Sequence, residues 1–379
     1  MKVLGLMSGT SADGVDAVLA DFRGSAAHPR WRILSSAATP YPVELRQRLI
    51  RAGQGEPLPA AAWLELAEAV SDAQAEAARR CDPEGQAQLI GCHGQTVWHR
   101  PPTAERQGAS WQLLLAPRLA QRLSCPVVHD FRAADLALGG QGAPLVPATD
   151  AALLGSTGGW RALLNLGGIA NLTLLPPAAG PERLAAVRGW DCGPANTLLD
   201  LACQRFSGGQ KGFDAGGAWA ATGQVQQELV EHWLSEAYFQ QAPPKSTGRE
   251  LFGGDDLERR LRDLEEVAPG HSPADALASL TALTAACVAQ DLRRGPLPVE
   301  LLVAGGGTRN TTLMGELRRR CRGVRVRPLA ELGIADDQRE ALAFALLAWW
   351  HQRRHRGSLP SVTGARQAAV LGLRADPTL

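Results

Sequence analysis

The chain has 379 residues, 45% of them hydrophobic and 20% charged, an ordinary globular balance that excludes disordered, collagenous and coiled-coil classes. At about 100 to 150 residues per domain, the length suits two domains or one large α/β unit. With 39 basic against 38 acidic side chains the net charge is +1, which lacks the electrostatic footprint of a nucleic-acid or anionic-membrane binder.

VLGL at 3 to 6 reads as a buried strand, MSGTS as a turn, and DGVDAVLADF as a second strand that stops before Gly24. A third strand is predicted at 31 to 36, helices at 42 to 52 and 58 to 81, and strands at 88 to 92 and 126 to 131. At 160 to 175, WRALLNLGGIANLTLL repeats the opening strand, Gly-turn, strand unit, and AAVRGWD at 185 to 191 supplies the strand after it. Helices at 194 to 206 and 274 to 294, a strand at 299 to 304 and a helix at 336 to 355 complete the pattern. Each half opens with an antiparallel meander before helices and strands alternate, so two similar α/β halves are expected. The Gly-rich GGQGAP at 139 to 144 is the expected boundary, giving domains 1–140 and 141–379.

The seven scattered cysteines include no C-x-x-C pair, which argues for reduced thiols and against zinc or a redox dithiol. Neither a signal-peptide core nor a run of about 18 apolar residues occurs, so a cytoplasmic protein is expected. Only Lys2, Lys211 and Lys245 are lysines, and the four asparagines, Asn165, Asn171, Asn196 and Asn310, all fall in Gly-containing segments.

MSGTSADGVD (7 to 16) sets Gly9, Thr10, Ser11 and Gly14 between two strands, where backbone N–H groups and hydroxyls can converge on an anion. One such turn is as easily an ordinary hairpin, but NLGGIAN (165 to 171) repeats it at the matching place in the second half. VAGGGTRN (303 to 310) follows a strand and precedes a helix, where small residues let a flat ligand approach the backbone. Asn310 stands where a dinucleotide fingerprint needs its third Gly, and no lysine sits in a P-loop, so both of those motifs fail.

The carboxylates of interest are Asp13, Asp16 and Asp191. Asp191, in GWDCGPANTLLD, ends a strand ahead of Gly193 and Pro194, a position that suits a general base and equally a turn or cap residue. His93 and Gln95 in GCHGQTVWH, Arg132 and Asp135 in DFRAAD, Lys245 and Arg249 in PPKSTGRE, and Glu340 are polar groups open to substrate contact or to structural hydrogen bonds. His93 and His99 lack H-E-x-x-H spacing, so zinc is not expected.

Taken in order, GLMSGTSADGVDA, CHGQTVWHRP, DFRAADLALGGQGAPLVP, NLGGIANLT, DCGPANTLLD, PPKSTGRE and AGGGTRN resemble the anhydro-N-acetylmuramic acid kinase family of the acetate and sugar kinase, Hsp70 and actin superfamily. The resemblance implies an α/β fold of two RNase H-like domains flanking an ATP-binding cleft, with ATP and Mg2+ as cofactors. It places nucleotide contacts on Gly9, Thr10, Ser11, Ala12, Asp13, Gly14, Val15 and Asp16, on Gly167, Gly168 and Asn171, and on Gly305, Gly306, Gly307 and Asn310. It makes Asp191 the catalytic base and leaves His93, Gln95, Arg132, Asp135, Lys245 and Glu340 as sugar-binding candidates, with Asp13 or Asp16 ordering the metal through water. The implied reaction opens the 1,6-anhydro ring of 1,6-anhydro-N-acetylmuramic acid and phosphorylates O6, a step of peptidoglycan recycling. Another sugar or carboxylate kinase, or an ATP-gated protein of the actin or Hsp70 kind, is the alternative. ATP and the anhydro sugar are the expected partners, nucleic acid and membrane are not, and a homodimer stays open. Ala12, Cys192 and Ala195 depart from the family pattern, which commonly has a bulky apolar residue, Thr and Gly there.

Overall fold

The computed structural model describes residues 1–248 and 250–378, and the chain divides into two compact units, 1–154 with 333–379, and 155–332. The strands are β1 (Lys2–Ser8), β2 (Gly14–Gly24), β3 (Pro29–Pro40), β4 (Leu89–Arg100), β5 (Ala109–Leu113), β6 (Val127–His129), β7 (Arg161–Leu166), β8 (Ile169–Leu175), β9 (Arg188–Pro194), β10 (Glu300–Ala304), β11 (Arg325–Pro328) and β12 (Leu373–Ala375). The helices are α1 (Val43–Gly53), α2 (Ala60–Cys81), α3 (Ala116–Leu123), α4 (Ala133–Ala137), α5 (Val146–Leu154), α6 (Asn196–Phe206), α7 (Gln227–Leu234), α8 (Ala237–Gln240), α9 (Gly254–Val267), α10 (Pro273–Leu292), α11 (Thr311–Arg320), α12 (Arg339–Gln352) and α13 (Pro360–Thr363).

In the first unit β1, β2 and β3 form an antiparallel meander, while β1 pairs in parallel with β4, and β4 with β6. The sheet order is β12-β6-β4-β1-β2-β3, with β5 beside β4. The second unit repeats the plan as β11-β10-β7-β8-β9, a meander on one side of β7 and parallel strands on the other. This is the RNase H-like order twice over, as the family resemblance implies, and it repeats in two halves as the duplicated strand, turn, strand pattern predicts. Residues 3 to 8 of β1 are all buried, the mark of a central strand covered on both faces.

The domain boundary differs from the one expected at 140/141. Helix α5 stays with the first unit, and residues 333–379 return to it. The physical reason lies in Gly5 and Gly91, register partners on β1 and β4. A Cβ on Gly5 would collide with the Ala341 carbonyl oxygen, and one on Gly91 with that of Phe344. Their bare backbones let α12 descend onto the sheet, and Ala341 through Trp350 are buried there.

In the second unit α10 fills the equivalent role of central helix. It starts at a capping box in which Ser272 and Asp275 bond each other's backbone N–H, with Pro273 in the first turn. Being apolar on nearly every face, it is buried along almost its whole length. Strands β5, β11 and β12 and helices α3, α4, α5, α7, α8, α9 and α13 were not predicted. All seven cysteines are buried and none forms a disulfide. Among the described residues no helix is long and apolar enough to cross a membrane.

Candidate active site

The turn between β1 and β2 is held from below by side chains of its own unit. The Ser8 hydroxyl lies 2.6 Å from Gln95 Oε1 and 2.8 Å from the Gly14 carbonyl oxygen. Gln95 Nε2 donates to the Gly9 and Thr96 carbonyl oxygens at 3.0 and 3.2 Å. Gln95, 1% exposed, therefore shapes the turn rather than facing a sugar. Ala12, in the left-handed region at φ 51, and Val15 both bury their side chains, so each can offer a ligand only its backbone. Thr10, Ser11 and Asp13 are exposed, and Asp13 pairs with Arg46 at 2.9 Å. Asp16 is half-buried, and its carboxyl is pushed up to about 6, first by burial and then by the charges of Asp337 and Glu340.

Beside this turn, His93 and Arg132 meet. His93 Nδ1 is 2.9 Å from the Gly94 carbonyl oxygen, so that nitrogen carries the proton and Nε2 presents a lone pair. Arg132 donates to it from Nε at 3.2 Å and Nη2 at 2.9 Å, and from Nη1 to the Gly142 carbonyl oxygen at 2.7 Å. Burial, and then the Arg132 charge, push the imidazole down to about 3, so it is neutral. Burial also pulls the Arg132 guanidinium below its usual range, opposed by Glu340, which is an exposed residue in the first turn of α12. Asp135, fully buried, accepts from Gly142 N at 2.8 Å and Thr363 Oγ1 at 2.7 Å. It pins the Gly-rich loop from a fully buried position.

In the second unit the β7–β8 turn rests on the start of α6. The Gly168 carbonyl oxygen accepts from the N–H of Ala195 and Thr197, and that of Gly167 from Asn196. A Cβ on Gly168 would sit 2.6 Å from Thr197 Oγ1, a buried hydroxyl with no hydrogen-bond partner. The third Gly segment packs against this turn. Gly305, at φ +88, leaves only 2.7 Å between an added Cβ and Asn165 Oδ1, and Gly307 only 2.6 Å to the Leu166 Cβ. Nothing lies within 4 Å of a Cβ built on Gly306, so of the three it alone faces open space. Asn310 spends its side-chain oxygen on Leu313 N at 2.9 Å, as the N-cap of α11.

Asp191 lies on β9 directly opposite Asn171 on β8. Asn171 Nδ2 donates to Oδ1 at 2.9 Å, while Oδ2 accepts from Ser246 Oγ and Thr247 N, both at 3.0 Å. The amide of Asn171 thus serves the carboxylate rather than a nucleotide. No Lys, Arg or His pairs with Asp191 among the described residues, and one lone pair of Oδ1 stays open. Two anchors fix the segment that carries Ser246 and Thr247. The Lys245 carbonyl oxygen accepts from Asp191 N at 3.0 Å, and the Lys245 ammonium is buried against Asp291 at 3.0 Å and over the Tyr238 ring. Trp190 Nε1 donates to the same Asp291 at 3.1 Å, and Tyr238 Oη to the Asp191 carbonyl oxygen at 2.9 Å. Lys245 is therefore a buried anchor behind the carboxylate, not a group facing a sugar.

Sequence reasoning missed Ser246, Thr247 and Tyr238 as partners of Asp191. The PPKSTGRE motif contained the first two, but nothing in it says where the loop returns. Arg249 of that motif lies outside the described residues. Among the described residues no group of three or more His, Cys, Asp or Glu side chains is arranged to hold a metal ion.

Among solved structures, the chain is similar to a xylulose kinase from Lactobacillus acidophilus, with TM-score 0.47, 9% identity, and coverage of 100% of this chain and 94% of the other. A glucokinase from Streptomyces griseus gives TM-score 0.38 at 15% identity, over 91% and 98% of the two chains. In sequence, it is 62% identical over 382 residues to an anhydro-N-acetylmuramic acid kinase of Synechococcus sp. (strain CC9605). It is 63% identical over 390 residues to that of Synechococcus sp. (strain WH7803), and 50% identical over 382 residues to that of Prochlorococcus marinus (strain MIT 9211). All three alignments cover 100% of both chains. The profile of the family described as anhydro-N-acetylmuramic acid kinase matches residues 1–376, and with relatives of that name 50–63% identical over the whole chain, the chain belongs to the anhydro-N-acetylmuramic acid kinase family.

Proposed function

We propose that the protein uses ATP and water to open the 1,6-anhydro ring of 1,6-anhydro-N-acetylmuramic acid and to phosphorylate O6, giving N-acetylmuramic acid 6-phosphate. Asp191 is the base. Its Oδ1 takes a proton from water as the water oxygen bonds to C1 and the C1–O6 bond breaks. O6 then captures the γ-phosphoryl group in line as its bond to ADP breaks. The observation that carries this reading is the carboxylate of Asp191, held by three neutral donors, unpaired with any cation among the described residues, and left with an open lone pair on Oδ1. Such a base contributes typically ~10²- to 10⁴-fold.

The turn from Gly9 to Gly14 and the turn at Gly167 and Gly168 bind the nucleotide phosphates through backbone N–H groups, and the open Gly306 lets the adenosine approach. The buried hydroxyls of Thr197, under the second turn, and Thr247, beside the base, have no protein partner, which suits a polar ligand. Asp16 fits a hydrated magnesium ion, because acidic neighbours and burial leave its charge uncompensated, whereas Asp13 is already paired. Magnesium bound there supplies neutralisation of phosphate charge.

The test is turnover in ¹⁸O-water with ATP, magnesium and the anhydro sugar. We expect sugar-dependent ADP release, with the label at C1 and none in the phosphate bridge. Label in the bridge, or ADP release indifferent to the sugar, would overturn the reading.

A further inference from the structure

Strand β9 carries Asp191 at the edge of its sheet, and its ladder with β8 is broken beside that residue. Asp191 lies opposite Asn171 and Gly193 opposite Ala170, so Cys192 is an extra residue inserted between them. Such a bulge leaves the inserted residue unpaired and bends the strand. On the other side of β9, residues 245–247 approach through the bond from Asp191 N to the Lys245 carbonyl oxygen at 3.0 Å. That bond alone does not fix a register, and a slip by one residue would take Ser246 off the carboxylate.

Asp291 supplies the missing constraint. This carboxylate of α10 is 1% exposed and takes hold of both segments at once. Its Oδ2 accepts from Trp190 Nε1 at 3.1 Å and lies 3.0 Å from the Lys245 ammonium, which also reaches Oδ1 at 3.2 Å. Trp190 is the residue before Asp191, and Lys245 is the residue before Ser246. Consecutive side chains of a strand point to opposite faces, so with Trp190 turned toward α10, Asp191 turns away from it. Lys245 and Ser246 divide in the same way, and Ser246 Oγ meets Asp191 Oδ2 at 3.0 Å. Tyr238 closes the arrangement, its ring under the Lys245 ammonium and its hydroxyl on the Asp191 carbonyl oxygen. Arg294, partly exposed, stands 3.5 Å from Asp291 and is tied to the Phe239 carbonyl oxygen. Taking an ion pair out of water costs about what its attraction returns, so the pair accounts for register better than for stability.

We propose that Asp291 is a positioning residue for Asp191. By clamping Trp190 and Lys245 to one group it holds Ser246 and Thr247 on Oδ2, which aims Oδ1 at the water it deprotonates. This rests on the function proposed above and names the group that keeps its base in place.

The test is steady-state kinetics with ATP and the anhydro sugar. Asp291→Asn alone would leave a buried ammonium without its partner and endanger folding. The main variant is therefore Asp291→Asn with Lys245→Met, which removes both charges and keeps the volume. Its kcat should fall about 10- to 100-fold, the scale of a reacting group displaced by about 1 Å. Its KM for the sugar and its dissociation constant for ATP, which also reports folding, should stay within about threefold of wild type. Trp190→Phe, which loses only the bond from the indole, should show a smaller loss confined to kcat, and it decides the matter if the double variant does not fold. In an Asp191→Asn background the same changes should alter the residual kcat by less than about twofold, because both act through one carboxylate.

Wild-type kcat in the folded variants overturns the proposal. A loss of equal size with and without the Asp191 carboxylate makes Asp291 a support of the fold only and overturns it too, as does a loss confined to KM. If wild type does not act on the sugar, or Asp191→Asn turns over at the wild-type rate, the proposed function or its base fails and this inference with it. If both of those stand and the losses add, only this inference fails.

Discussion

Asp191 shows how a carboxylate is made ready by neutral neighbours. Three donors orient it and one lone pair remains. Asp191→Asn keeps the size and removes the basicity, so binding of ATP and sugar should survive in calorimetry while turnover falls at least ~10²-fold. Wild-type turnover in that variant would remove Asp191 from the chemistry. Asp16 is a different case. Its carboxyl, pushed up to about 6, holds a proton more tightly in the folded chain than in the unfolded one. The contribution to stability is therefore greatest below about pH 4 and is lost as pH rises through about 6. Asp16→Asn should accordingly stabilise the protein at pH 7.5 by on the order of 1 kcal/mol, after allowance for solvent screening, and by nothing measurable at pH 4. Urea midpoints of the two proteins at both pH values check this, and a difference independent of pH would contradict it. Asp191 was singled out in the sequence as a strand end ahead of Gly193 and Pro194, whereas β9 runs on through Pro194 and holds it in mid-strand; the residue was legible, its place in the strand was not. Ser246 was not legible, because it reaches Asp191 from 55 positions away, and only the folded path of the loop brings it there.

At the scale of elements, the Gly-rich turns separate into glycines required for packing and one that faces open space. Gly305 and Gly307 let the third segment lie on the β7–β8 turn, and Gly168 lets that turn lie on Thr197. Substituting any of them disturbs the fold first. Gly306 has nothing within 4 Å of an added Cβ, so Gly306→Val should leave the unfolding midpoint nearly unchanged and weaken ATP binding about tenfold or more, because the branched side chain occupies the approach to the backbone. Unchanged ATP affinity by calorimetry would detach this segment from the nucleotide. The three Gly turns were readable from composition and position between strands, whereas the division of labour among their glycines depends on which segments pile on one another. Gln95, Asp135 and Lys245 teach the same lesson. Each was read as a polar group beside a strand end or in a loop, and each is spent on backbone or on a buried partner.

For the whole molecule, the repeated sheet order explains why the opening of the chain recurs in its second half, and the sequence made that repeat visible as two strand, Gly-turn, strand units. It did not show that the first unit is discontinuous, because two glycines 86 positions apart, neither of them in a turn, create the bed on which α12 lies. The consequence can be tested by removing residues 333–379. The second unit, 155–332, has a hydrophobic core built from its own strands and helices, including α10, and should keep its amide protection. The first unit loses α12, whose buried stretch from Ala341 to Trp350 covers β1 and β4, and at about 1.5–3 kcal/mol for each large apolar side chain that loss is comparable to the whole ~5–15 kcal/mol by which a domain is typically stable. Hydrogen exchange should therefore show β1, β2 and β4 unprotected in the truncated chain while β7, β8 and β10 exchange as slowly as in the full chain. A single-site version leaves the chain intact. Gly91→Ala forces a methyl group against the Phe344 carbonyl, and should destabilise the first unit by at least ~1–3 kcal/mol through overpacking. Retention of slow exchange in β1 and β4 after both changes would mean that α12 is an accessory to the first unit rather than part of its core.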